Sequence, residues 1–230
     1  RVQVRLIGGR SEPADLVIIG SHCVGLDLVV GKLLRGGIRA KTMHVGSTGG
    51  LAAAKRGECD VAGIHLMDPA TGAYNTHLLT DALALVAGYG RMQGVVYRRG
   101  DARFEGRTAE DAVRAALADS DCTMVSRNAG SGTRVIIDQL LGARRPPGYG
   151  VQTRSHNAVA AAVAQGRADW GVAIDTVARA YGLAFLPLRE ERYDFVVPKT
   201  RLERPAVRAF RAVLDDAGTR AELKALGFLV

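Results

Sequence analysis

Cysteine is scarce in this 230-residue chain: Cys23, Cys59 and Cys122 stand in three separate segments, odd in number and unlike a disulfide framework or a zinc motif. A reducing compartment is the simpler expectation. Aromatic residues make up only 5% of the chain, and Arg35, Arg56, Arg114 and Arg179 are scattered instead of forming a stripe. A formal charge of +8 implies attraction to anions, but the interleaved basic and aromatic surface of a nucleic-acid groove is missing, so direct nucleic-acid binding is not expected. Apolar runs such as 16–19 and 83–87 fall far below the roughly 20 residues that cross a bilayer, so no membrane span is expected. There is no G-x-x-x-x-G-K-[ST] run, and no His, Cys or carboxylate pair recurs at a metal spacing. Neither a metal nor another cofactor is expected. The chain opens Arg1-Val2-Gln3-Val4, without an initiator Met or a charged-then-apolar leader, which reads as a processed or excised piece. The cytoplasm is the favoured compartment, and the periplasm fits if a secretion signal was removed.

What is present is the composition of a globular protein, with 47% apolar and 23% charged residues. Short apolar runs alternate with helical patterns, the signature of an α/β fold with largely parallel strands. Strands are expected at 16–19, 38–45, 61–66, 94–97, 122–126, 185–188 and 194–197, with an extended piece at 150–153. Leu26, Val29, Val30, Leu33 and Leu34 form one helical face that ends at Gly36-Gly37, and Thr108 caps a helix over 108–118. The 46–50 stretch reads as a loop before a helix at 51–56. Val135, Ile136, Gln139 and Leu140 mark another helix, Pro205 opens one carrying Val207, Phe210, Val213 and Leu214, and a closing helix is expected at 221–226.

An internal comparison gives this alternation a plan. Laid without gaps over residues 157–170, residues 48–61 match at four of fourteen positions: Ala52, Ala53, Gly57 and Asp60 fall on Ala161, Ala162, Gly166 and Asp169. Each copy reads as a helix, a glycine stop, a polar turn and a buried strand. Two similar lobes are therefore expected, the first over 1–90 plus 192–230 and the second over 91–191, with chain crossings near 89–94 and 188–193.

Four loops follow a strand and precede a helix: Gly20-Ser21-His22, Gly46-Ser47-Thr48-Gly49-Gly50, 127–133 and Ser155-His156-Asn157. In open α/β sheets such loops gather beyond the strands' carboxyl ends, where helix N-termini offer unpaired N–H groups to anions. Ser, Thr and Asn are also ordinary helix caps, so it is the conjunction that points to a site. The most informative loop places Ser131, Gly132 and Thr133 between Arg127 and Arg134. His22 and His65 belong at strand ends and can each serve as a ligand donor or a structural bond. Cys23 reads as a packed thiol, Trp170 as core, and Asp60 and Asp169 as structural.

Ser21-His22, the 45–51 run, Gly63-Ile64-His65-Leu66-Met67-Asp68-Pro69-Ala70-Thr71-Gly72-Ala73-Tyr74-Asn75, Gly130-Ser131-Gly132-Thr133-Arg134 and residues 158–169 resemble the bacterial periplasmic-binding-protein-like domain. That domain is found fused to helix-turn-helix regulators or to the molybdopterin-biosynthesis protein MoeA. It is distantly similar to molybdate and tungstate binding proteins and to LysR-type effector domains. The likeness runs from about residue 15 to the end. It implies a type II periplasmic-binding fold, two Rossmann-like α/β lobes joined by a two-stranded hinge. Carried over by motif, Ser21, Ser47 and Thr48 line the first lobe's side and Ser131, Gly132, Thr133 and Asn157 the second's, with His22, His65 and Arg127 as further ligand contacts. Cys23 stands where an acidic residue is common in the family, which bears on ligand identity.

The expected function is non-catalytic binding of a small anion, a tetrahedral oxyanion such as molybdate or tungstate, with lobe closure read by a fused DNA-binding or MoeA domain. A larger organic acid would draw more on Arg127 or Arg134. The alternative from another class is a phosphate-handling transferase using the Gly130–Thr133 loop, with chemistry at Cys23 or His22.

Overall fold

A computed structural model describes residues 13–230. The Arg1–Val4 opening and the first twelve residues of the expected first lobe lie outside the described residues. Strand β1 (Leu16–Gly20) pairs in parallel with both β2 (Ala40–His44) and β3 (Val61–Ile64). The same arrangement recurs later, where β5 (Met124–Arg127) pairs in parallel with β6 (Gln152–Thr153) and β7 (Trp170–Ile174). Two 15-residue strands, β4 (Leu83–Tyr97) and β8 (Ala184–Pro198), run antiparallel between these sets, with β3 on β8 and β7 on β4. The sheet order is β2-β1-β3-β8-β4-β7-β5-β6, an eight-stranded mixed sheet whose halves repeat one plan.

Residues 89–94 and 188–193, expected as chain crossings between the lobes, are the middles of the two long strands β4 and β8. Alternation of apolar residues is interrupted there by Arg91, Gln93, Glu190, Glu191 and Arg192, which hid the continuity. The register shifts between Val86 and Tyr89 and between Gln93 and Gly94. Glycine is required near both shifts, since a Cβ on Gly88 would lie 2.0 Å from the Tyr193 carbonyl oxygen and one on Gly94 2.2 Å from that of Leu186.

Helix α1 (Val24–Arg35) buries Leu26, Val29 and Leu33, while Leu34 at the edge of the expected stripe is exposed. Helix α2 (Gly46–Lys55) begins five residues before the expected Leu51, so the 46–50 stretch is its first turns and not a loop. The cause is close packing: a Cβ on Gly50 would lie 2.6 Å from Gly20 Cα, so small residues let α2 rest on the end of β1. Thr108 caps α3 (Ala109–Ala118), accepting from the Asp111 N–H at 3.1 Å. Helix α4 (Gly132–Leu141) buries Ile136, Ile137 and Leu141 and turns Val135 toward solvent. Then come α5 (His156–Ala164), α6 (Asp175–Ala180) and α7 (Pro205–Asp215), which buries Val207, Phe210 and Leu214. The last helix, α8 (Ala217–Leu226), starts before the expected Ala221 because Asp216 caps it, accepting from the Thr219 N–H. Trp170 is core, fully buried near Phe104. Among the described residues no helix is long and apolar enough to cross a membrane.

Candidate functional site

The carboxyl ends of β1, β3 and β5 bring three polar loops to the middle of the sheet. Ser21 follows β1, and its Oγ lies 2.9 Å from His65 Nε2, just beyond β3. The His65 backbone N–H donates to Ser47 Oγ in the first turn of α2 (3.1 Å), and its Nδ1 faces Glu191 Oε2 in the middle of β8 (3.0 Å). Gly132 at the start of α4 closes against the same histidine, where a Cβ would lie 2.5 Å from the His65 carbonyl oxygen. The Thr48 hydroxyl donates to the Gly130 carbonyl at 3.4 Å, joining the α2 turn to the loop that opens α4. Ser21, Ser47, His65 and Gly132, read from separate segments of sequence, are thus neighbours.

Charge fixes how this network is protonated. Burial works to raise the Glu191 carboxyl, but the Arg91 guanidinium and His65 outweigh it and hold the group at about 2. Arg91 Nε donates to Glu191 Oε1 and Gln93 Nε2 to Oε2. An ionised carboxylate only accepts, so the His65 proton sits on Nδ1 and Nε2 is left to accept the Ser21 hydroxyl hydrogen. Burial lowers the His65 pKa despite Glu191, which leaves the ring neutral near pH 7.

Arg127, at the end of β5, is the second buried guanidinium, 3% exposed. Its Nε and Nη2 donate to the carbonyls of Thr153 and Arg154 at 3.3 and 3.4 Å, and Nη1 lies 3.3 Å from His156 Nδ1 and 3.5 Å from Thr133 Oγ1. Among the described residues no carboxylate forms an ion pair with it. Burial, reinforced by the nearby Arg91 charge, pulls its pKa down to about 10, still protonated at neutral pH. His156 is pushed well below the ordinary histidine value by burial and by Arg127, and is neutral.

A cavity of about 430 Å³ opens beside Arg127, lined also by Ser21, His22, Gly46, Asn128 and Arg154. Helix α2 starts at its wall with Gly46, and His22 on the wall lies two residues before α1; neither helix has a side-chain cap, nor do α6 and α7, whereas Thr108, Ser131, Ser155 and Asp216 cap α3, α4, α5 and α8. First-turn N–H groups of α1 and α2 therefore add partial positive charge without a side-chain partner. Two larger hollows, about 630 Å³ beside Arg39 and Pro205 and about 670 Å³ beside Val151 and Gln165, contain none of the expected site residues.

The expected residues thus divide. Ser21, His22 and Arg127 line the cavity. Ser47 and His65 stand behind Ser21, and Thr133 behind Arg127. The Ser131 hydroxyl accepts from the Arg134 N–H (3.1 Å) as an ordinary cap, and Thr48 is spent on Gly130. Asn157 is half-buried on α5 outside the cavity lining. Arg134 ion-pairs with Asp138 and donates to the Arg127 carbonyl, so it braces the loop. Cys23 is buried, and His22 is held by Asp27 at 2.9 Å. Sequence reading missed Arg91, Glu191, His156 and Arg154; charged residues inside an otherwise apolar strand were the available signal for the first two.

Comparison with known proteins places this arrangement. Residues 31–215 match the family described as the PBP superfamily domain. The uncharacterized protein YvgK of Bacillus subtilis is 30% identical over 91% of this chain and 69% of its own length. A putative phosphate ABC transporter substrate-binding protein of Clostridium perfringens, solved with bound phosphate, superposes with a TM-score of 0.72 at 12% identity, over 93% of this chain and 98% of that one. The tungstate ABC transporter structure from Geobacter sulfurreducens superposes at 0.64 and 14% identity, over 93% of this chain and all of that one. The repeated half-sheets joined by two long strands are the type II periplasmic-binding fold, and the chain belongs to the PBP superfamily.

Proposed function

We propose that this domain binds a small anion between two lobes, 1–90 plus 192–230 and 91–191, hinged at the middles of β4 and β8. A tetrahedral oxyanion such as molybdate or tungstate is the leading ligand class. The observation that carries this reading is Arg127, a buried cation at a cavity wall without a carboxylate partner among the described residues. Arg91 and Arg127 face Glu191 alone while His65 and His156 stay neutral, so the buried centre holds excess positive charge. Such charge is costly to bury unless a counter-ion completes it. The uncapped starts of α1 and α2 supply fixed donors beside the same cavity, which suits an anion stripped of its water. The phosphate and tungstate proteins that share the fold support the ligand class.

Closure follows if an anion bridges Arg127 on one lobe and the α1 and α2 termini on the other, because only the closed form satisfies both sets. A linked DNA-binding or MoeA domain would read that shift. The test is thermal unfolding with molybdate, tungstate, sulfate, phosphate and organic acids. A ligand at 100 times its dissociation constant adds about 2.7 kcal/mol of stability. Saturable stabilisation by an anion without turnover of phosphoesters is expected. Absence of stabilisation by every anion rejects the reading, and turnover would favour a transferase.

A further inference from the structure

The Ser21 hydroxyl has one hydrogen, and the network behind it decides where that hydrogen points. Glu191 accepts a hydrogen bond from His65 Nδ1–H, Nε2 accepts one from the Ser21 hydroxyl, and only Ser21 lone pairs remain for the cavity. A ligand oxygen bearing a proton is welcome there. A fully ionised oxygen is not, unless the relay reverses: a second proton on His65 lets Nε2 donate to Ser21 Oγ and turns the Ser21 O–H toward the ligand.

We propose that Ser21, His65 and Glu191 form a proton relay that couples recognition of a fully ionised oxyanion to uptake of one proton at His65, whereas an oxyanion carrying its own hydrogen binds without proton exchange. This rests on the proposed anion site. The groups facing His65 fit the role. Glu191 on β8 stabilises the imidazolium, and burial, Arg91 on β4 and Arg127 on β5 oppose it until an anion arrives, while His156 on α5 is neutral. Tyr193 on β8 stacks at 6.0 Å, and Tyr74 shares a small hollow of about 40 Å³ with His65 and Glu191; both phenols stay neutral because burial raises them. A bound anion adds the attraction that the empty relay lacks, so ligand and proton reinforce each other by linkage.

The experiment is isothermal titration of the whole chain with sodium molybdate and with inorganic phosphate at pH 7.5 and 8.5, in buffers of different ionisation enthalpy. Molybdate binding should take up about one proton and weaken about tenfold across that interval, because one proton of uptake is one decade of affinity per pH unit. Phosphate, present at pH 8.5 as the hydrogen-bearing dianion, should bind with no net proton exchange. In His65→Gln the side chain has no titratable group to take up a proton, so molybdate binding should lose both its proton uptake and its pH slope. Far-ultraviolet circular dichroism and the melting midpoint show whether that variant is folded, and Ser21→Ala, which removes the relayed hydroxyl, should abolish the uptake as well. Molybdate binding without proton uptake overturns the relay and leaves anion recognition standing. Uptake that persists in both variants lies elsewhere, at His22 or His44, and also overturns it. Failure of both anions to bind overturns the relay together with the anion site.

Discussion

Asp60 and Asp169 make the same pair of bonds at equivalent places in the two halves of the chain. Each backbone N–H donates at 2.8 Å to a carbonyl, that of Val17 or of Thr123, and each Oδ2 accepts at 2.8 Å from the N–H of that same residue. Both follow a glycine with positive φ, Gly57 at 71° and Gly166 at 70°. The duplicated sequence pattern is therefore a duplicated hydrogen-bond clamp that sets the register of β3 on β1 and of β7 on β5. Burial opposes the Asp169 charge, but bonds from Thr123 and Arg98 hold its carboxyl below the ordinary value. Asp169→Ala should cost about 1–2 kcal/mol in urea unfolding at pH 7, discounted for partial exposure. Because the folded pKa is depressed, this contribution is present above the unfolded pKa and should vanish as pH falls through the folded one.

Glu191→Gln leaves the buried Arg91 guanidinium without its counter-charge. The expected loss is about 3–5 kcal/mol, and the double substitution Arg91→Met with Glu191→Leu should recover much of it, since an apolar pair needs no desolvation. The ion pair also predicts acid sensitivity. The Glu191 carboxyl titrates at about 2 in the fold against 4.5 ordinarily, so its stabilisation is complete above that ordinary value and is lost as pH falls between the two. Denaturant titrations of wild type and the double variant between pH 2 and pH 5 check this; the double variant should show the smaller decline.

Arg127→Met removes a buried cation that has no carboxylate partner among the described residues. The unliganded protein should stay folded, within about 1 kcal/mol of wild type, because two backbone carbonyl bonds are lost while a desolvated charge is relieved. Stabilisation by every anion that protects the wild type should disappear. Differential scanning calorimetry with and without ligand separates the two effects.

Two glycines in one helix–turn segment should respond differently to alanine. Gly57 has open space for a Cβ, so Gly57→Ala costs only its positive φ, about 1–2 kcal/mol. Gly50→Ala drives a Cβ to 2.8 Å from the Ile19 carbonyl oxygen and must lift α2 off β1. Its cost should be larger, about 2–3 kcal/mol or more by overpacking. It should also weaken anion binding, because α2 carries Gly46 to the cavity.

The fold was legible where a period survives: the α1 face, the helix–glycine–aspartate–strand repeat and the amphipathic α7 all lie where the pattern places them. It was illegible at the centre, where Arg91 and Glu191 interrupt apolar alternation and made two long strands read as three short ones, 94–97, 185–188 and 194–197. Loop chemistry in the sequence pointed to Ser21, His22 and Arg127, which share a cavity in the fold. The hydrogen-bond partners of the surrounding hydroxyls were not legible. Ser47 spends its Oγ on the His65 N–H, so Ser47→Ala should cost about 1–3 kcal/mol of stability whether or not ligand is present. Composition and spacing carry no information about which donor a hydroxyl faces across the sheet.

The most direct test of the central claim is a crystal of the protein grown with sodium tungstate, with the metal located by its anomalous scattering. A single strong peak is expected in the cavity, about 3.5–4.5 Å from the Arg127 guanidinium nitrogens and from Ser21 Oγ, where the oxyanion's oxygens accept their hydrogen bonds. A well-occupied peak on another surface, or an empty cavity at saturating tungstate in a protein that tungstate stabilises, would contradict it.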